Sequence, residues 1–219
     1  AVLPAERREA VLRAAKDAGA FVIEDDFARS LVHEDAGALP PTLRSADPDG
    51  RVVHLCSLTK ITSPSLRVGA LAAHGPVLER LRAVQTVDSF FVSRPLQEAA
   101  LELVGAPAWR RHLRTVAGEL RQRRDVMLTA LAREVPSLSP AHAPRGGYHL
   151  WLRLPDGTDA TALAGAALRA GVAVAPGRPY FAAESAAPHL RISFAPATGE
   201  ADLVEGVRRL RTACEEVLG

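Results

Sequence analysis

Hydrophobic positions recur along this chain first at helical spacing, then at strand spacing, and the two alternate to the end. Val11, Leu12, Ala15 and Ala18 fall on one helical face, with Pro4 suited to its first turn and Gly19 to its C-terminal cap. Phe21-Val22-Ile23 reads as a short buried strand running straight into Glu24-Asp25-Asp26-Phe27. From Ala28 to Gly50 the pattern lapses, and Pro40-Pro41 and Asp47-Pro48-Asp49-Gly50 signal turns, so a loop over one edge of a sheet is expected. Val52-Val53-His54-Leu55 is the next strand and Val68–Ala73 another. Val77, Leu78, Leu81 and Val84 then make Pro76–Val87 an amphipathic helix, and a further helix starts at Arg94 after the break at Asp88-Ser89-Phe90-Phe91.

Gly105-Ala106-Pro107 is the strongest punctuation in the chain, which predicts domains at residues 1–105 and 106–219. Leu113, Val116, Leu120, Met127, Leu131 and Val135 predict one long helix from Trp109 to about Val135. Beyond it, Tyr148–Leu154 alternates as a strand, Thr158–Ala170 is a helix capped by Gly171, and Val172-Ala173-Val174 is a strand ending at Pro176-Gly177. Leu190–Phe194 is the last strand. Leu203, Val207, Leu210, Cys214 and Val217 stripe the closing helix from Glu200 to Leu218. Strands alternating with helices give an α/β chain whose second part is a small sheet covered by helices.

Composition narrows the class without changing this picture. A content of 47% hydrophobic and 24% charged residues is ordinary for a globular protein. A net charge of +2 gives no reason to invoke nucleic acid or an anionic membrane, and no apolar run nears the roughly 20 residues a membrane helix needs. The chain opens directly into a helix with no secretory pattern, and a cytoplasmic setting is expected. Cys56 and Cys214 have no metal-ligand spacing and are expected as core thiols rather than a disulfide. Arg121 to Arg124 are flanked by Glu119 and Asp125 and point around the helix, so a solvated face is expected there. His33 and His54 have no partner set for a metal.

The chemistry concentrates in His54–Gly69. Ser57, Thr59, Lys60, Thr62, Ser63 and Ser65 follow a strand, with Arg67 seven residues beyond Lys60. Hydroxyls donate neutral hydrogen bonds, a guanidinium forks onto phosphate oxygens, and an amine becomes a nucleophile when its pKa is lowered. Among 27 cationic residues, Lys16 and Lys60 are the only lysines. Arginine cannot form an imine, so a lysine kept here is a candidate reactive amine. Lys16 sits near a helix end, where a solvated cation is favourable.

Ser57-Leu58-Thr59-Lys60, with Pro64 and Arg67-Val68-Gly69, resembles the cofactor-lysine segment of fold-type I pyridoxal-phosphate enzymes, the aspartate aminotransferase superfamily. The match looks closest to the branch shared by small aminotransferases and the aminotransferase-like domain of GntR/MocR-type regulators. The resemblance implies that Lys60 holds pyridoxal 5'-phosphate through an imine bond and that Ser57 and Arg67 bind its phosphate. By resemblance, Asp25 pairs with the pyridine nitrogen. Family members often carry a tyrosine two residues further on, where this chain has Phe27.

Arg191, between Leu190 and Ile192, is either a buried guanidinium needing an anion or an outward-facing side chain on an edge strand. In the resembled family the arginine of this segment grips the substrate α-carboxylate. Pro176-Gly177 and the loop with Tyr180-Phe181 match a border of the substrate pocket, and Gly146-Gly147-Tyr148-His149 resembles the regulator branch.

The resemblance covers the whole chain but only the later part of the family's catalytic domain: the later half of the large domain plus the small α+β domain. A fragment is therefore expected, lacking an upstream phosphate-binding turn, a stacking ring and an asparagine. The implied activity is amino-group transfer between an amino acid and a 2-oxo acid. The rival is a regulator's sensor domain that binds the cofactor without turnover, with any DNA contact made by an upstream winged-helix domain and none through this segment. A homodimer is implied, with Phe90-Phe91 either contacting the partner or packing into the core.

Overall fold

The computed structural model describes residues 3–140, 142–183 and 187–219, and the chain divides into two compact units, one ending at Val116 and the other starting at Ala117. In the first unit, helix α1 (Ala5–Asp17) begins at Pro4, carries Glu6 in its first turn and Lys16 in its last, and so complements its own dipole. It ends where Gly19 takes a φ of 64°. Strand β1 (Val22–Asp25) pairs in parallel with β2 (Val52–Ser57), and β2 pairs antiparallel with β3 (Gly69–Ala72), giving a three-stranded mixed sheet with β2 at its centre. Val52 and Val53 are buried there, with Leu31, Leu43, Ile61 and Ala73.

The stretch expected as a plain loop between β1 and β2 is organised by three short 3-10 turns, Arg29–Leu31, Glu34–Ala36 and Leu43–Ala46. Thr42 caps the third, accepting from the Ser45 amide. Helices α2 (Gly75–Asp88) and α3 (Arg94–Gly105) follow, and α4 (Ala108–Glu134) runs from the first unit into the second. The first unit keeps much apolar surface in view: Ile23, Val87, Phe90 and Phe91 are 71%, 83%, 78% and 77% exposed.

The second unit holds an antiparallel sheet in the order β4-β5-β7-β6, from Ser139–Pro140, His149–Arg153, His189–Ser193 and Ala175–Pro176. Leu150, Leu152, Leu190 and Ile192 alternate onto one face and are buried, together with Leu163 and Ala167 of α5 (Ala160–Arg169) and Leu203, Val207 and Leu210 of α6 (Glu200–Leu218). Asp159 caps α5 by accepting from the amides of Thr161 and Ala162 at 2.8 and 3.0 Å.

Four expectations need correction, the first being the buried strand at Phe21-Val22-Ile23: Phe21 and Ile23 are exposed and no residue of β1 is buried. The strand expected at Val172–Val174 is not one: the Val172 amide is spent closing α5 onto Ala167 O at 2.8 Å, and pairing with β7 begins only at Ala175. Cys56 is exposed: it shares a face of β2 with buried Val52, but burial falls away toward the end of the strand, where Cys56 pairs with the exposed Ala70 of β3; Cys214 is buried. Within the arginine run, Arg124 is buried rather than solvated, bonding Asp125 and the Pro144 carbonyl.

Among the described residues, no helix is long and apolar enough to cross a membrane, and no cluster of His, Cys, Asp and Glu could hold a metal ion.

Candidate active site

The loop after β2 is closed at its base and built from its own hydroxyls. The Leu58 amide donates to Val68 O at 3.1 Å, and Ser57 faces Gly69 across the β2–β3 ladder. Inside it, the Ser57 hydroxyl accepts from the Thr59 amide at 3.2 Å, and the Thr62 hydroxyl and amide both donate to Leu58 O at 2.7 and 3.1 Å. Ser63 caps a 3-10 turn at Pro64–Leu66. Arg67 then takes φ 48° and ψ 30°, a left-handed conformation that reverses the chain into β3. Gly69 is required next: a Cβ there would lie 2.9 Å from the Cys56 carbonyl oxygen.

This loop carries Ser57, Lys60 and Arg67 at the C-terminal end of β2. Asp25 ends the parallel neighbour β1, where the Asp26 amide still bonds Leu55 O at 3.0 Å. The carboxyl ends of parallel strands are where open α/β sheets take their ligands. One more residue joins them: His112 of α4 donates from Nε2 to the carbonyl of Ile61, next to Lys60, at 2.7 Å. His112 also stacks on Trp109 with ring centroids 5.5 Å apart. Nothing in the sequence linked residues 51 positions apart, so this prop was invisible there.

The three consecutive carboxylates resolve into different roles. Glu24 accepts the amides of Leu43 at 2.7 Å and Arg44 at 3.2 Å and the Nδ1 of His54 at 3.1 Å. Burial works to raise its pKa, but those amides and His54 outweigh it, and the carboxyl is held below its ordinary value. Asp26 pairs with Arg29 at 3.2 Å. Asp25 is exposed and has no hydrogen-bond or ion-pair partner among the described residues. Lys60 and Arg67 are likewise exposed, with no side-chain partner among those residues, whereas Lys16 is paired with Asp49 at 3.2 Å.

The donor set therefore suits pyridoxal phosphate: a hydroxyl and a guanidinium for a phosphate, an amine for a carbonyl carbon and a carboxylate for a pyridine nitrogen, their charges not spent on one another. Phe27, 39% exposed, offers no hydroxyl.

Arg191 belongs to the second unit. It lies in β7, an inner strand, opposite Trp151 of β5 and Ala175 of β6, on the half-buried face of the sheet. Its guanidinium carbon stands 4.6 Å from the centroid of the Tyr180 ring.

Residues 1–210 match the family model for aminotransferase class I and II. The chain is 36% identical to a 2-aminoadipate transaminase of Thermus thermophilus over 99% of this chain and 54% of that protein. It is 29% identical to the HTH-type transcriptional regulator TauR of Rhodobacter capsulatus over 97% of this chain and 43% of that one. Among solved structures, LysN, the α-aminoadipate aminotransferase of Thermus thermophilus complexed with N-(5'-phosphopyridoxyl)-L-leucine, superposes with a TM-score of 0.86 at 33% identity, covering 98% of this chain and 55% of LysN. The kynurenine aminotransferase of Pyrococcus horikoshii gives a TM-score of 0.88 at 26% identity, over 98% of this chain and 52% of that one. The chain thus spans about half the length of the relatives it matches. With a lysine-bearing loop at the strand ends and a match along nearly its whole length, the chain belongs to the aminotransferase class I and II family, whose cofactor is pyridoxal phosphate.

Proposed function

We propose that the full-length polypeptide is a pyridoxal-phosphate-dependent aminotransferase, moving an amino group between an amino acid and a 2-oxo acid. The observation that carries this is Lys60: an exposed amine on a loop closed at its base, next to a carbonyl held by His112, with no ion pair among the described residues. Ser57 and Arg67 would anchor the cofactor phosphate and Asp25 would keep the pyridine nitrogen protonated. The bound cofactor supplies an electron-accepting ring next to the substrate α-carbon. Lys60 holds the cofactor and, once released from it, takes and returns the proton at that carbon. Arg191 orients the substrate through its carboxylate, with a fork that one ammonium could not reproduce.

The proposal includes a cytoplasmic homodimer, with the exposed Phe90 and Phe91 assigned to its contact, and a large domain followed by a small one from residue 106. A sensor domain of a GntR-type regulator is the second reading, favoured by the similarity to TauR. Borohydride reduction of the full-length polypeptide with pyridoxal phosphate, followed by peptide mapping, should place the label on Lys60. A label on Lys16, or none, would refute the assignment. Turnover with an amino acid and a 2-oxo acid then separates the enzyme from the sensor.

A further inference from the structure

We propose that Tyr180 is a positioning residue for Arg191: its ring holds the guanidinium ready for the amino-acid carboxylate. The inference rests on the reading of Arg191 as the carboxylate-binding group. Arg191 is flexible by nature, yet here its guanidinium carbon sits 4.6 Å from the Tyr180 ring centroid, a cation–π distance. Among the described residues its side chain meets no carboxylate and no hydrogen-bond acceptor. Its N–H donors are therefore not committed to any of those residues.

The ring itself is fixed by two features of the same sheet. Trp151, directly opposite Arg191 on β5, meets Tyr180 edge-on with centroids 5.8 Å apart. Trp151 is in turn stacked on His189 at 5.3 Å. The turn that delivers the tyrosine, Arg178–Tyr180, starts at Gly177, whose amide donates to His189 O at 2.7 Å. A Cβ on Gly177 would stand 2.7 Å from the His189 Cβ and 3.0 Å from the Trp151 ring, so only glycine lets the backbone come this close. Gly177, Trp151 and His189 together set the height and direction of the turn, and Tyr180 ends it over the guanidinium. A side chain placed this way removes rotamer freedom from Arg191 before substrate arrives, and affinity gained by pre-organisation needs no new contact to the ligand.

The test uses the full-length polypeptide loaded with pyridoxal phosphate. The probe is whichever of the twenty L-amino acids gives the largest spectral response, paired with the amine left when that amino acid loses its carboxylate. Tyr180→Leu should weaken the amino acid roughly two- to thirty-fold, the range of a cation–π contact from exposed to desolvated. The carboxylate-free amine should bind as before, and cofactor affinity and ligand-free melting should be unchanged. Tyr180→Phe, which keeps the ring, should behave as the parent; Tyr180→Met is a second ring-free variant should the leucine fail to fold. In an Arg191→Lys background, Tyr180→Leu should cost much less than in the parent.

Equal losses for amino acid and amine, or a phenylalanine variant as impaired as the leucine one, would overturn the inference. An effect of Arg191→Lys without one of Tyr180→Leu sinks the positioning role alone. If Arg191→Lys leaves amino-acid binding intact, or no amino acid gives a response, the underlying reading of Arg191 fails first.

Discussion

Replacing Glu24 by glutamine isolates the contact that ties the long β1–β2 connection to the sheet. The side chain sits among the amides of Leu43 and Arg44 and the His54 ring, and both of its oxygens are acceptors. Glutamine has nearly the same shape but no charge, and its NH2 would face a backbone N–H that then has nothing to donate to. Hydrogen bonds to a charged group contribute about 1.5–3 kcal/mol net, and an orphaned buried donor costs about 1–3 kcal/mol, so a local loss of about 2–4 kcal/mol is expected. That corresponds to roughly 30- to 1,000-fold faster opening-limited exchange at the Leu43 and Arg44 amides, with amides of the β2 ladder little changed.

The same contact fixes a pH dependence. The folded-state pKa of Glu24 is lowered, so its contribution is complete above the ordinary carboxylate value and is lost as pH falls through the lowered one. Urea midpoints of parent and Glu24→Gln should therefore differ at neutral pH and converge in acid. Unchanged protection of both amides at neutral pH would show that the carboxylate does not hold the connection.

Two further outcomes can be checked directly. Gly69→Ala should lower the melting temperature, because its Cβ would lie 2.9 Å from a backbone carbonyl and β3 must shift, at about 1–3 kcal/mol; a variant as stable as the parent would mean that the strand has room to give. With a chromogenic disulfide, Cys56 should react in the native protein, while Cys214, buried and with its thiol pushed up to about 11, should react only on unfolding; two fast thiols would contradict the packing of α6.

Periodicity made the second unit legible: Leu150 and Leu152 on β5, Leu190 and Ile192 on β7, and the Leu203–Cys214 stripe of α6 all bury the face their spacing predicts. It failed where tertiary bonding overrides local preference. Val172-Ala173-Val174 has the β-branched residues of a strand, but a helix-closing hydrogen bond claims its first amide. Arg124 looks like its neighbours in the run, and only its place on the inner face of α4 distinguishes it. For the site, residue types and spacing led to Lys60, Ser57, Arg67 and Asp25 through resemblance, and the structure adds which acid of Glu24-Asp25-Asp26 is uncommitted. The His112 prop and the Tyr180 ring are contacts across folded space, for which a linear sequence carries no period.

The scarcity of lysine bears on selectivity against side reactions. Aldehydes condense with any accessible unprotonated amine, and most proteins present many. Here the positive surface is guanidinium, which stays protonated near neutrality and has no nitrogen free to attack a carbonyl. Of the two lysines, Lys16 is paired with Asp49 at 3.2 Å. An aldehyde diffusing over these residues thus meets few competing amines, which would favour the attachment proposed at Lys60 over a crowd of surface amines.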